Sequence, residues 1–104
     1  MLGNFYHVVY FWLKEPENQS DRKQFLASLN GFLDQVDEIK TRHVGSPAPT
    51  NRPVIDSSYT FSLILSFKNK NEQDIYQEHA AHKKFIADSK ALWQKVQVYD
   101  SELL

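Results

Sequence analysis

Two stretches of the chain alternate like strands and two keep helical spacing, and their order carries the fold. FYHVVYFWL, residues 5 to 13, is aromatic and β-branched almost throughout, the composition that suits a pleated surface. Alternation sets Phe5, His7, Val9, Phe11 and Leu13 on one face and Tyr6, Val8, Tyr10 and Trp12 on the other. Both faces are apolar, so both need cover.

Lys14 to Gln19, with Pro16, reads as a turn, and Ser20 is the expected N-cap of a helix with Asp21 in its first turn. Phe25, Leu26, Leu29, Phe32, Leu33 and Val36 then follow helical spacing. Gly31 weakens that helix by about 1 kcal/mol relative to alanine. IKTRHV, residues 39 to 44, predicts a short polar edge strand. Residues 45–57, GSPAPTNRPVIDS, hold three of the four prolines and form a long loop, suited to a flap or an interface arm. SYTFSLILSF, residues 58 to 67, alternates again, with Tyr59, Phe61, Leu63, Leu65 and Phe67 on one face. Asn71 with Asp74 resembles a helix start, and helical character runs to about Trp93 with a break expected near His79 to Ala81. KVQVYD, residues 95 to 100, is the final strand.

The order β-α-β-β-α-β predicts a ferredoxin-like α+β fold, one domain over residues 1–104. Its helices should cover the sheet face bearing His7, Val9, Phe11, Phe61, Leu63 and Leu65. Tyr6, Val8, Tyr10, Trp12 and Ile64 are left on the open face, a patch larger than monomers usually tolerate. A symmetric homodimer that stacks two sheets face to face would bury it.

Charge and composition narrow the partners. Twelve basic residues against thirteen acidic ones give a net charge of −1, and no block of either sign could neutralise phosphates or an anionic bilayer, which argues against nucleic acid and membrane partners. With no cysteine, disulfides, thiolate metal sites and cysteine nucleophiles are excluded. The apolar N-terminal run lacks a basic flank and a cleavage site and is too short to span a bilayer, so it reads as a buried strand of a cytoplasmic protein. Three scattered glycines make no phosphate loop. Asp34, Asp37 and Glu38 read as a solvated acidic face, and His43 as surface.

YQEHAAHKKF, residues 76 to 85, holds the candidate chemistry. Residues three or four apart share a helix face, so Tyr76, His79, His82 and Phe85 can approach one another. The plainest reading makes Tyr76 and Phe85 core aromatics and the histidines partly exposed helix residues. A metal site at His79 and His82 would need further ligands, and none is evident, so no metal or cofactor is expected. The third reading is general base catalysis: His82 removes a carbon-bound proton while Tyr76 orients or polarises a substrate carbonyl. His7 points to the same region, and the expected pocket walls are His7, Val9, Phe11, Phe25, Leu63, Phe85 and Trp93.

HVVYFWLKE, YTFSLILSF, IYQEHAAHKKF and LWQKVQVYD, in that order, resemble the stress-responsive A/B barrel (Dabb) family over nearly the whole chain. The H-x-x-H-x-x-F piece is its most specific mark, although Ala80 stands where the family usually has proline. The resemblance implies a ferredoxin-like monomer pairing into a dimeric α+β barrel, in a family most of whose members have no assigned activity. A plant polyketide cyclase of the family uses a tyrosine and a histidine for an intramolecular aldol condensation, and these positions fall on Tyr76 and His82, with a pocket histidine at His7. Two functions therefore follow: a pocket that binds an undefined apolar or carbonyl-bearing molecule, or a cofactor-independent cyclase or lyase. An oxygenase-like activity, as in related dimeric barrels, is a third outcome of the resemblance that no residue selects.

Overall fold

The computed structural model describes residues 3–104. Four strands and three helices follow one another as β1 (Phe5–Leu13), α1 (Gln19–Leu33), β2 (Thr41–Gly45), β3 (Phe61–Phe67), α2 (Lys70–Glu78), α3 (Ala80–Ser89) and β4 (Trp93–Glu102), with a 3-10 turn over Lys90–Leu92. The strands make one antiparallel sheet in the order β2-β3-β1-β4. This is the ferredoxin-like α+β arrangement, with the second helical segment split in two.

In β1 every odd residue from Phe5 to Leu13 is buried and every even one is half-buried. The odd face meets the helices, where Phe25, Leu29, Phe32 and Leu33 of α1 and Ala81 and Phe85 of α3 complete the core. In β3, which lies between β1 and β2, Ser62 and Ser66 are also buried, the Ser66 hydroxyl bonded to that of Thr41 on β2.

Element ends differ from expectation where a side chain outbids the pattern. Asn18, not Ser20, caps α1: its side chain accepts the Asp21 N–H at 3.0 Å. Asn69, not Asn71, caps α2 through the Glu72 N–H, also at 3.0 Å. β3 begins at Phe61 rather than Ser58, since the Thr60 N–H donates to the Phe11 carbonyl and the Thr60 hydroxyl takes the Leu13 N–H, so a side chain replaces one rung of the ladder. Ser58 and Tyr59 turn instead over the open sheet face, where the Trp12 indole N–H donates to the Ser58 hydroxyl and Tyr59 packs edge-on to Tyr10. The end of the proline-rich segment thus lies on the open face. The helical break falls at His79, as the sequence predicts, with φ −63° and ψ 138°. β4 runs four residues longer than KVQVYD, from Trp93 to Glu102. No helix among the described residues is long and apolar enough to cross a membrane.

Candidate functional site: a cavity between helix layer and sheet

β1 supplies the floor of the site. Its register sets His7 between Leu65 of β3 and Asp100 of β4, with Val9 and Phe11 following on the same face. His7 is 4% exposed, and its Nδ1 lies 2.6 Å from the Asp100 carboxylate. A carboxylate accepts only, so Nδ1 carries a proton and Nε2 is the nitrogen left for the cavity side.

Tyr76, near the end of α2, packs over His7 with ring centroids 5.3 Å apart, and also against Phe32 and Phe67. His82 of α3 faces Tyr76 at 5.0 Å and Phe32 at 5.4 Å. Among the described residues the Tyr76 hydroxyl makes no hydrogen bond, yet no fully sealed side-chain polar atom lacks a partner. The hydroxyl therefore opens onto free space. That space is a cavity of about 150 Å³, lined by His7, Val9, Phe11 and Leu63 from the sheet and by Tyr76, Gln77, His82 and Phe85 from the helices. Trp93, Val96 and Val98 wall the β4 side. Val96 and Val98 are 38% and 42% exposed, so the cavity mouth lies along β4, which no helix covers.

Phe25 departs from expectation. It is fully buried, stacked on Phe61 at 5.4 Å and edge-on to Phe11 at 4.9 Å, so it sits behind Phe11 and supports the wall without lining it. His79 turns its Nδ1 to the Ala81 N–H. Among the described residues no group of three or more His, Cys, Asp or Glu is placed to hold a metal ion. Asp34 pairs with Arg42 on the surface, and His43 is exposed.

Asp100 is the site residue that sequence reasoning missed. It stands in the expected final strand, but its value comes from lying opposite His7, a register fixed only when β4 pairs with β1. The alternation Val96, Val98, Asp100 was the available signal: it sets all three on the face that carries His7.

The electrostatics separate the two candidate groups. Loss of water, then the nearby His7, holds His82 below the ordinary histidine value, the Gln77 backbone and Glu78 pulling weakly the other way. Burial, then the Asp100 charge, pushes the Tyr76 phenol well above its ordinary value. At neutral pH the site thus presents a neutral imidazole, able to accept a proton, beside a phenol that can only donate or share one. Among the described residues the cavity walls carry no Lys, Arg, Asp or Glu, which leaves an anionic ligand without a countercharge.

A small ferredoxin-like α+β protein with a histidine- and tyrosine-bearing cavity between sheet and helices is the class these features define. The chain belongs to the family of the stress responsive A/B barrel domain, whose profile matches residues 5–103. Similar solved structures include a Dabb family protein from Mesorhizobium loti, 23% identical over 96% of both chains with a TM-score of 0.79. The hydroxynitrile lyase from Passiflora edulis is 16% identical over 96% of this chain and 93% of its own, again with a TM-score of 0.79. A dimeric ferredoxin-like protein of unknown function from Thermobifida fusca is 15% identical over 95% of this chain and 90% of its own, with a TM-score of 0.76. No curated protein sequence matches the chain.

Proposed function

We propose that the cavity binds a small, neutral, carbonyl-bearing molecule and that Tyr76 holds its oxygen. The partnerless Tyr76 hydroxyl, aimed into an apolar space beside a neutral histidine, carries this reading. The hydroxyl is not sealed off, and a carbonyl oxygen could accept its proton where water otherwise would. The volume sets the size: a cavity of about 150 Å³ accepts a benzene-sized group, so a longer chain must leave by the β4 mouth.

The neutral His82 favours a second reading, catalysis without a cofactor. With the substrate carbonyl on the Tyr76 hydroxyl, the His82 imidazole takes a proton from the adjacent carbon; the electron pair of that C–H bond moves onto the carbonyl oxygen, where Tyr76 stabilises it. The resulting carbanion equivalent can then add to a second carbonyl, as in an aldol reaction, or expel a leaving group from the next carbon, and the new alkoxide or the departing group takes back the proton held by His82. His7, held by Asp100, lines the site and limits the charge His82 can take up. That the similarly folded protein from Passiflora edulis is a hydroxynitrile lyase supports the idea that this fold can carry catalysis.

The chain further pairs as a homodimer through the open sheet face, on this reading, with Tyr6, Val8, Tyr10, Trp12 and Ile64 at the contact. Each of these is half-buried in the single chain, and Tyr99 beside them is 61% exposed. Solved relatives described as dimeric support it.

The test is a ligand-observed NMR and melting-temperature screen of aryl aldehydes, aryl ketones and short β-keto thioesters, with wild type, Tyr76→Phe and His82→Gln. Binding that weakens in Tyr76→Phe, with turnover lost in His82→Gln, supports the site and the second reading together. Binding without turnover leaves the first alone. Equal affinity in all three proteins overturns both. Sedimentation of Val8→Glu tests the dimer: a species unchanged from wild type removes the open face as its interface.

A further inference from the structure

The junction between α2 and α3 is a single residue, His79, and it is bonded to both candidate site residues. Its N–H donates to the Tyr76 carbonyl at 3.2 Å, and its own carbonyl accepts the N–H of His82 at 3.0 Å and of Lys83 at 3.2 Å. Between these contacts its backbone is extended, so α2 stops and α3 starts in a new direction. Its imidazole Nδ1 accepts the Ala81 N–H at 3.0 Å, taking up one of the first-turn donors that a helix start leaves open. An accepting Nδ1 must hold a lone pair, so the ring proton sits on Nε2.

The change of direction matters to the site. On one straight helix, residues six apart point about 120° away from each other, and Tyr76 and His82 would diverge. The kink instead brings their rings to 5.0 Å. Ala80, the first residue of α3, would readily continue a helix, since alanine is its best former. Nothing in the backbone chemistry of Ala80 therefore enforces the break.

We infer that His79 is the positioning residue of the site: its imidazole, by capping Ala81, holds the kink that turns Tyr76 and His82 toward one another. The inference rests on the reading of the cavity as a functional site, but its geometry is measurable in the unliganded protein. In that way a failed ligand screen and a failed kink are told apart.

The experiment compares wild type with His79→Ala and His79→Asn by NMR, reading the nuclear Overhauser contact between the Tyr76 and His82 rings and the titration midpoint of the His82 imidazole. Asparagine can accept the same N–H; alanine cannot. In His79→Ala the ring contact should disappear and the His82 midpoint should climb toward the ordinary 6.5 as the imidazole meets water. His79→Asn should keep both wild-type signatures. The double variant His79→Ala, Ala80→Pro should recover them by another route, because the residue before a proline is driven to the extended conformation and proline suits the first position of a helix. A wild-type ring contact and midpoint in His79→Ala would overturn the inference. Should that variant not fold, the others decide: loss of the contact in folded His79→Asn overturns the inference, and retention in both it and the proline double variant upholds it.

Discussion

Tyr76→Phe separates the hydroxyl from everything else the side chain does. The ring is 2% exposed and packs within 5.0–5.3 Å, centroid to centroid, of His7, Phe32, Phe67 and His82, and phenylalanine keeps all of those contacts. Among the described residues the hydroxyl, by contrast, has no hydrogen-bond partner to lose. The hydroxyl opens onto the cavity, so its removal should leave folding stability within about 1 kcal/mol of wild type, a shift of no more than about 4–8 °C in a domain of this size. Tyr76→Ala provides the scale, since deleting a buried aromatic ring costs about 3–5 kcal/mol. Urea denaturation followed by tryptophan fluorescence measures all three proteins under one condition. A Phe variant that is as stable as wild type but binds carbonyl ligands more weakly is the signature of a group kept for function. A loss above about 1 kcal/mol would refute the reasoning, because it would mean that the hydroxyl is bonded in the folded protein and is not available to a ligand.

Three further outcomes follow from neighbouring geometry. His82 is held below its ordinary value, so the unfolded chain takes up its proton first: stability falls as pH drops below 6.5 and continues to fall until the folded-state value is passed. His82→Gln should flatten that part of the acid limb in denaturation series between neutral pH and pH 5, and an unchanged limb would remove His82 as its source. Asp100→Leu leaves the Nδ1 donor of buried His7 without its acceptor and should cost about 1–3 kcal/mol by the same denaturation measurement. Gly31→Ala should stabilise by about 0.5–1 kcal/mol, since an added Cβ there meets nothing within 4 Å and the helix gains in propensity.

The sheet was legible in the sequence because its signal is periodic and strong. β1 alternates without a fault over nine residues, and the stripe from Phe25 to Leu33 leaves few alternatives to a helix. Positions decided by one hydrogen bond were not legible in this way. Ser20 and Asn18 are both good caps, and only the geometry of the preceding turn selects Asn18; the same holds for Asn71 and Asn69. Thr60 looks like a strand residue by composition and ends the strand by side-chain bonding. Within the site, strand alternation turned His7 toward the helices and helical spacing set Tyr76 and His82 near it, but their 5.0 Å ring contact needs the break at His79. Asp100 could not be placed in this way, because its contact with His7 depends on register across strands far apart in sequence. Phe25 shows the converse limit: periodicity tells that a ring faces the core, but not whether it touches a void or backs another ring.

The pairing of β1 with β4 has a consequence for how the molecule matures. His7 and Asp100 are 93 residues apart, and Trp93, Val96 and Val98 on the mouth side belong to the same late strand. A chain whose first eight or nine tenths have emerged from the ribosome can already form β1, β3 and the helices over them, but it has half a cavity. Loop closure over so long a span adds only a few tenths of a kcal/mol beyond the β1–β3 closure, yet it places this event late among the contacts of the fold. A molecule that binds the complete cavity, as proposed, would therefore favour the finished protein by mass action. A cell that holds the right small molecule would keep more of this protein folded, and the amount of protein would itself report the ligand.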